Sequence, residues 1–434
     1  MLTINDTAPT EALGMAKSTG QSATTNPRPP RVSRAQRNRE IQDAITASAL
    51  ELLAGKGVDG LGLTKIAAHA GMSNGPLYGR YDSAEDVALE LWETQLRDHY
   101  RSLLRDFETF ITSPDTEPSE ELLEELTNPS VLTSGAVEII AVARRFPLLV
   151  DTVRSDIEAT FHELQRANPG LDPSLCALLL TFPTGSVLAS RWVPESHPPW
   201  RPVLLRLRRS MLDPAHQTRA SLDPAPRLVG LPIPDIGDAG FDEFVTAVME
   251  VVARVGFERT TAHRVARAAG RSFSSAYAHV GTKDELMHRA IGQMIDQIWT
   301  TGIASIATRT PEDYMTSLVA LQRGLFAPAN RAIRQLRTET LIAMRHHPDL
   351  ASAGRAQTTA SVARIPQEFG LNDPVSIEAA ASLWYLASAT GMGTAALSLL
   401  TTVFDEIDWT PMASVAQQMA QEHPGPTPTE PEML

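Results

Sequence analysis

The sequence contains one cysteine, Cys176, among 434 residues. A single cysteine can form neither an intrachain disulfide nor a thiolate metal cluster within one chain. No apolar run approaches the roughly 18 uninterrupted residues that a membrane span needs. The first residues, Met1 to Gly20, lack the basic and then apolar pattern of a secretory signal. We therefore expect a cytoplasmic protein that has no membrane partner.

Positive charge is in deficit, with 38 Lys and Arg residues against 51 Asp and Glu residues and a formal net charge of -13. A protein that coats nucleic acid nonspecifically relies on a broad basic surface. The overall charge argues against that class of protein. Any contact with DNA must come from local basic patches.

Motifs for catalysis and metal binding are also missing. The sequence has no nucleophile elbow, P-loop or dinucleotide fingerprint in a suitable context. No His/Glu pair has the spacing of an HExxH zinc site, and a helix would point the adjacent His346 and His347 in different directions. We therefore expect no catalytic residue, no metal and no cofactor, and we do not expect an enzyme.

The apolar residues that are present follow a helical period. Ile41, Ile45 and Leu52 are spaced for one helix face, and similar stretches continue to about residue 212 and resume at about residue 241. No convincing strand alternation interrupts them. The sequence therefore predicts an all-α fold.

Several prolines between residues 213 and 240 mark a semi-rigid linker between two folded parts. The expected domains are a disordered tail (1–33), a first helix-turn-helix head (34–97), a first helical effector and dimerisation domain (98–212), a Pro-rich linker (213–237), a second head (238–298), a second helical effector and dimerisation domain (299–421) and a disordered tail (422–434).

The two folded parts repeat one another. Within the heads, six residues recur 199 positions later: Gly57, Ala67, Ala70, Gly71, Ser73 and Tyr78 as Gly256, Ala266, Ala269, Gly270, Ser272 and Tyr277. Further along, the offset is 201: Glu138, Arg144, Pro147, Leu149 and Arg154 recur as Glu339, Arg345, Pro348, Leu350 and Arg355. The pair Thr184-Gly185 is matched to Thr390-Gly391. The chain therefore reads as a duplication of a unit of about 200 residues.

The first head has the pattern of a helix-turn-helix. A short helix is predicted from about Leu63 to Ala70, and Gly71 suits the tight turn because it takes positive φ without steric cost. Ser73 is predicted to cap a second helix that starts at Asn74, with Pro76 in its first turn. Asp82 and Ser83 are candidate caps for a long following helix.

The second head has the same pattern. Thr261 is predicted to cap its first short helix and Ser272 its second. Thr282 and Glu285 have the spacing of a capping box for the helix that follows. Both heads therefore predict helix, tight turn, helix and then a long helix.

The strings IAAHAGMSNGPLYGRYDSAEDV and VARAAGRSFSSAYAHVGTKDEL resemble the head of the TetR family of transcription regulators. The likeness covers about 60 residues in each half. It implies a three-helix DNA-binding head, a long fourth helix and a helical domain that binds a small-molecule effector and dimerises. The expected partners are therefore double-stranded DNA and a small-molecule effector, and the expected function is a ligand-responsive regulator, most commonly a repressor in this family.

A recognition helix enters the major groove by its N-terminal residues. Asn74 is suited to reading a base edge, and the resemblance assigns Tyr78 to a phosphate. The residues expected to contact DNA in the first head are Thr64, Lys65, Ser73, Asn74, Gly75, Pro76, Tyr78 and Arg80. Five arginines that precede the first helix could add an arm for phosphates or the minor groove: Arg28, Arg31, Arg34, Arg37 and Arg39.

The second head departs from the first. It is locally basic, keeps the family lysine as Lys283 and has Phe273 where a polar residue is usual, but its lead-in carries acids instead of arginines. It could read different bases or bind more weakly. The residues expected to contact DNA there are His263, Arg264, Arg271, Ser272, Phe273, Ser274, Ser275, Tyr277, His279 and Lys283.

We expect the two halves to fold on one another as an intramolecular pseudo-dimer. The C-terminal helices of each half, about 173–190 with 202–212 and 374–400 with 411–421, would form a four-helix interface. In one alternative the second head is a relic, and two chains pair to place two copies of the first head on DNA. In another, the protein is a ligand-binding or protein-interaction module in which one or both heads no longer bind DNA.

Overall fold

A computed structural model describes residues 33–194, 199–213, 239–272, 282–297, 324, 327–405 and 407–421. The expected tails, most of the Pro-rich linker and the stretch 298–323 lie largely outside this part of the chain, so the predictions made for them stay predictions. The chain forms two compact units, residues 1–42 and residues 43–434. Of the first unit, residues 33–42 are described, and Arg34 onward is helical.

Every regular element in the described ranges is a helix, which confirms the all-α prediction. The α-helices before the linker are α1 (Arg34–Lys56), α2 (Leu63–His69), α3 (Gly75–Tyr78), α4 (Ala84–Leu91), α5 (Arg97–Thr112), α6 (Glu120–Thr127), α7 (Val131–Val142), α8 (Pro147–Ala167), α9 (Pro173–Ala189) and α10 (Trp200–Leu212). Those after it are α11 (Ala239–Val255), α12 (Ala262–Ala268), α13 (Lys283–Gln297), α14 (Arg331–His346), α15 (Pro348–Phe369), α16 (Pro374–Leu397) and α17 (Thr410–Gln421).

Helix α1 begins at Arg34, before the end of the predicted arginine arm. The Ser33 hydroxyl accepts a hydrogen bond from the Gln36 amide at 3.0 Å, as expected of a residue that precedes a helix. The prediction that all five arginines precede the first helix is therefore wrong for three of them, because α1 includes Arg34, Arg37 and Arg39.

A continuous helical stretch joins the first head to the helices that follow. It consists of α4, one π-helical turn at Trp92–Leu96, and α5. The Trp92 indole is fully buried and its Nε1–H donates to Asp156 of α8 at 2.8 Å. An inserted residue that creates a π turn marks a local change in helix geometry. Here it lies beside the hydrogen bond from Trp92 to α8, and α4, which precedes it, packs against the same helix.

The core of residues 98–212 is aromatic and tightly packed. The rings of Phe107 and Phe182 lie 5.3 Å apart, and Phe182 meets Trp200 edge-on at the same distance. Beside them, the buried hydroxyls of Tyr100 and Thr184 are hydrogen bonded at 2.7 Å. These contacts join α5, α9 and α10 into one layer.

Helices α9 and α16 approach so closely that their backbones touch. A Cβ added at Gly185 would overlap the carbonyl of Ala389, and one added at Gly393 would overlap the carbonyl of Thr181. The contacts are reciprocal: Gly185 lies against Ala389, and Gly393 lies against Thr181, four residues before Gly185. The structural counterpart of Gly185 is therefore Gly393, so the match to Gly391 made from the sequence is wrong by two residues.

The other two helices of the expected interface join this pair. Helix α10 packs against α17 and α16, and α17 also contacts α9 and α16. Next to them, the rings of Trp192 and Trp384 are stacked with their centroids 5.5 Å apart. Helices α9, α10, α16 and α17 thus pack together.

Among the described helices, none is both long and apolar enough to cross a membrane by itself. Within the same described helices, one bent pair, Glu120–Thr127 with Val131–Arg145, reaches that length and composition jointly.

The contact between α9 and α16 predicts opposite effects for two glycine-to-alanine substitutions. Gly185→Ala must push the helix backbones apart, so we expect it to lower the free energy of unfolding by roughly 1–3 kcal/mol. Gly292→Ala in α13 meets nothing within 4 Å and should instead stabilise the protein by up to about 1 kcal/mol through helix propensity. Denaturant unfolding monitored by circular dichroism measures both. Equal effects of the two substitutions would contradict the close approach.

Candidate nucleic-acid interface

The turn after α2 has the geometry predicted for it. Gly71 has φ of 65°, in the left-handed region that suits glycine. The Met72 amide donates to the Ala67 carbonyl at 2.9 Å, and the Gly71 amide donates to Ala68 at 3.2 Å. This pair of bonds is the Schellman motif, which ends a helix and reverses the chain.

Helix α3 starts one residue later than predicted. Its first hydrogen bonds run from the amides of Leu77 and Tyr78 to the carbonyl of Asn74, which makes Asn74 the N-cap. No side chain caps this helix. The prediction that Ser73 caps it is therefore wrong, since Ser73 precedes the residue whose carbonyl accepts the first bond. Pro76 lies in the first turn as predicted.

The first head buries its apolar side chains and exposes the predicted DNA contacts. Ile66 and Leu77 have no exposed surface, and they fix α2 and α3 against the head. Tyr78, on the same short helix, is 58% exposed and so is not held by the core. Pro76 is half-buried. The other predicted contacts are all exposed: Thr64, Lys65, Ser73, Asn74, Gly75 and Arg80.

Two of these cations make local hydrogen bonds. Lys65 Nζ donates to the carbonyl of Gly60 at 3.2 Å, and Arg80 Nη1 donates to the carbonyl of Pro76 at 2.8 Å. Neither side chain is paired with an acid by these bonds. Their positive charge therefore remains available to a phosphate.

The helix after the first head, α4, is capped by Ser83, one of its two predicted candidates. The Ser83 hydroxyl accepts from the Asp86 amide, and the Asp86 carboxylate accepts from the Ser83 amide at 2.7 Å. This is a complete capping box. It fixes the start of α4 and hence the angle between head and long helix.

The second head repeats the turn of the first within its described residues. Gly270 has φ of 64°, the Arg271 amide donates to Ala266 at 2.9 Å, and the Gly270 amide donates to Arg267 at 3.2 Å. The Thr261 hydroxyl caps α12 by accepting from the Arg264 amide. The Thr282 hydroxyl accepts from the Glu285 amide at 3.1 Å. The predicted caps Thr261 and Thr282 are confirmed.

The predicted contacts of the second head are in part engaged elsewhere. Arg271 donates through Nε and Nη2 to Glu243 at 2.9 and 2.6 Å. Lys283 is half-buried, donates to the carbonyl of Phe257 at 3.2 Å and lies 3.8 Å from the centre of its ring. The remaining described contacts are exposed: His263, Arg264 and Ser272. The other predicted contacts lie outside the described residues: Phe273, Ser274, Ser275, Tyr277 and His279.

The comparison with known families falls on the first head. Residues 45–91 match the family described as bacterial regulatory proteins, tetR family. The chain carries a tetR-type DNA-binding domain. This match supports the prediction of a DNA-binding transcription regulator. No curated protein matches the chain.

Sequence reasoning missed a buried ionic cluster behind the heads. Glu138 of α7 is 2% exposed, and its Oε1 accepts from the Val58 amide of the first head at 2.8 Å. Its Oε2 lies 2.7 Å from His346 Nε2 and 3.6 Å from Arg345 Nε, both in α14. One carboxylate therefore joins the first head to a helix about 200 residues further along the chain.

A second carboxylate makes the reverse connection. Glu339 of α14 lies 2.6 Å from Arg144 Nη2 and 3.2 Å from Arg145 Nε. Arg144 also donates to the carbonyl of Ala253 and Arg145 to that of Val255, both at the end of α11 in the second head. The sequence repeat already showed these residues, because Glu138 and Arg144 recur as Glu339 and Arg345. It did not show that each glutamate pairs with an arginine of the other half.

The first head and the predicted second head are also bridged directly. Asp59 accepts from Arg145 at 2.8 Å and from Arg259 at 2.7 Å, and Arg259 lies over the ring of Phe146. Asp59 belongs to the short 3-10 turn of the first head, whereas Arg259 lies three residues before α12, in the predicted second head. A movement of either head thus changes an ion pair with the other.

The surroundings of Glu138 set its protonation. Burial by itself raises the pKa of this carboxyl, but the hydrogen bond from His346, the positive charges of His346 and Arg345, and the Val58 amide together lower the pKa below its ordinary value of 4.5. Glu138 is therefore a buried anion held by its partners.

The cluster predicts a pH-dependent loss of stability on substitution. Glu138→Gln leaves Arg345 buried without its acid, so we expect a loss of about 3–5 kcal/mol in the free energy of unfolding near neutral pH. Because the folded pKa is lowered, the contribution of Glu138 is complete above pH 4.5 and is lost as pH falls through the folded pKa. Urea unfolding at a series of pH values measures the difference.

The exposed Glu121 in α6 supplies the control. Glu121→Gln should change the free energy of unfolding by less than about 0.5 kcal/mol at every pH. A difference between wild type and Glu138→Gln that stays constant on acidification would contradict the ionised state assigned to Glu138.

Proposed function

We propose that this chain is a sequence-specific transcription regulator that binds DNA as a single-chain pseudo-dimer with two tetR-type heads. The observation that carries the proposal is the surface of the first head. Its helix-turn-helix matches the tetR family, buries Ile66 and Leu77, and exposes Asn74, Tyr78 and Arg80 together. Polar and cationic side chains on such a surface suit contacts to bases and phosphates.

The reciprocal contacts support a pseudo-dimer. In a twofold dimer, residue i contacts j while j of the partner contacts i. Here Glu138 meets Arg345 and Glu339 meets Arg144, with both members displaced by 201 positions. Farther out, Arg154 donates to the carbonyl of Leu400 and Arg355 to that of Arg191. Within one chain, these pairs have the pattern of an isologous interface.

The same contacts suggest how an effector would act. A ligand that binds a helical domain shifts a population between DNA-competent and incompetent states only if it prefers one of them. The packing of Trp92 on α8 and the cluster around Glu138 connect these domains to the first head. We infer a ligand-responsive regulator that acts as a repressor and has no enzymatic activity. Binding of the ligand would change the separation of the heads through these contacts.

One observation favours the alternative in which the second head contributes little. Arg271 is paired with Glu243, and Lys283 is occupied by Phe257, so two expected phosphate contacts of this head are already engaged. In that case two chains would pair and place two copies of the first head on a palindrome.

The stoichiometry on DNA separates these arrangements. A DNA site selected in vitro with purified protein should be bound by one chain, with an asymmetric footprint whose halves are centred roughly 34 Å apart, one helical turn of DNA. Sedimentation of the complex and hydroxyl-radical footprinting measure the two quantities. A symmetric site that requires two chains would contradict the pseudo-dimer and support the relic-head alternative.

Tyr78 tests the DNA surface itself. Tyr78→Ala should weaken binding to the selected site at least about tenfold, because a hydrogen bond to a charged group is worth roughly 1.5–3 kcal/mol. Tyr78→Phe, which removes only the hydroxyl, should account for most of the loss. Fluorescence anisotropy at several salt concentrations measures affinity, which should fall steeply with salt through counterion release.

The control is Val131→Ala, because Val131 is an exposed apolar residue on α7, at 47% exposure. It should leave affinity unchanged. Unaltered binding by Tyr78→Ala, together with a flat salt response, would indicate a ligand-binding or protein-interaction module that no longer uses this head on DNA.

A further inference from the structure

An arginine in the second helical domain is buried and has no counterion among the described residues. Arg337 of α14 is 9% exposed. It has no acidic or hydrogen-bonding partner among the residues that the structure describes, and burial lowers the pKa of its guanidinium to about 10. A buried charge is costly unless it is paired, so an unpaired guanidinium at this depth requires an explanation.

Packing of the fold does not require this arginine. The position 201 residues earlier, which corresponds to Arg337 in the repeat, is Ala136 of α7, and Ala136 is fully buried. By the same offset, Arg334 corresponds to Thr133. The first half therefore fills the equivalent helix face with small side chains. The arginines are particular to the second half.

Other polar groups accompany Arg337 on α14. Arg334 is 4% exposed and donates to the carbonyl of Ala327 at 3.1 Å. It lies one helical turn before Arg337, on the same helix face. The hydroxyls of Thr338 and Thr340 are buried and make no hydrogen bond within the described residues. The two threonine hydroxyls thus accompany Arg337 as polar groups that have no partner among the residues that the structure describes, whereas Arg334 has one.

The acids on neighbouring positions do not neutralise Arg337. Glu339 is engaged by Arg144 and Arg145. The charge of Asp405 raises the pKa of Arg334, whereas none of the described acids affects the pKa of Arg337. Among the residues that the structure describes, Arg337 therefore has no acid that could pair with it.

We propose that the second helical domain binds a small molecule through an oxyanion group, a carboxylate or a phosphate, that pairs with Arg337. The guanidinium presents a planar fork of N–H donors that matches either group in two parallel hydrogen bonds. Arg334 adds positive charge one turn away, and the Thr340 hydroxyl, three residues beyond Arg337, is placed to donate to the same group. This proposal rests on the proposed function, in which the anion is the effector, and it restricts the effector class to anions bound in the second half.

Thermal unfolding of the full chain in different anions tests the site. The buffers contain sodium chloride, sodium acetate or inorganic phosphate at one ionic strength. We expect acetate or phosphate to raise the Tm of the wild type above its value in chloride, because a ligand that binds only the folded state stabilises it. Arg337→Met should lose this increment and should be at least as stable as the wild type in chloride, since it removes an unpaired buried charge at similar volume.

The control variant is Arg331→Met, on the same helix but exposed. It should keep the full increment, and it corrects for the general stabilisation of proteins by excluded salts. Arg337→Gln, which keeps a polar head without charge, replaces the Met variant if the latter does not fold. Retention of the increment in the Arg337 variant would overturn the site.

A wild type without any increment would also overturn the proposal. A third contrary outcome is an Arg337 variant that is much less stable than the wild type in chloride, which would make the arginine structural. None of these measurements involves DNA. A failed anion response therefore leaves the DNA-binding proposal standing, and a failure of DNA binding leaves an observed anion site intact.

Discussion

The arrangement of residues 43–434 depends on the backbone contact between α9 and α16. At Gly185 and Gly393 neither helix has a side chain, and each lies against a carbonyl of the other. Such proximity lets α10 and α17 close over the pair. It also brings α7 and α14 near enough for their charged side chains to meet, since both helices contact this layer. The ionic cluster is thus formed between two helices that both pack against this close contact.

The carboxylates of that cluster are bound differently despite their matching positions. Glu138 meets His346 and Arg345, whereas Glu339 meets Arg145 and Arg144. Both oxygens of Glu138 are engaged, one of them by the backbone of the first head. One Glu339 oxygen has no hydrogen-bond partner within the described chain. The cluster therefore holds the first head through a carboxylate and the second through arginines that reach backbone carbonyls.

Much of the local structure was predictable, because turns and helix caps depend on residues that are close together in the sequence. A glycine between two helical stretches predicts a left-handed turn, and both Gly71 and Gly270 have it. Ser83, Thr261 and Thr282 cap the helices they precede. The prediction of Ser73 as the cap was wrong because two residues of a suitable type precede the helix, and it is the carbonyl of Asn74 that accepts the first hydrogen bonds.

Long-range pairing was not predictable from one sequence. The repeat identified Glu138 and Arg144 as special, but an offset between residues does not tell which copy each one contacts. Gly393 was missed because Thr390-Gly391 repeats the dipeptide Thr184-Gly185 at an offset of 206, whereas the glycine that meets Gly185 lies at an offset of 208. Arg337 belonged to no pattern in the sequence, because what distinguishes it is that none of the described residues places an acid beside it.

The reciprocal pairs also bear on how such a protein can change. In a dimer of identical chains, one codon sets both copies of every interface residue, so each substitution acts twice across the twofold axis. Here the corresponding residues are encoded separately, and His346 stands where the other side has Arg145. One side of the interface can thus acquire a titratable or ligand-binding group while the other retains its packing. A single polypeptide with internal near-symmetry can divide labour between its halves in a way that a homodimer cannot.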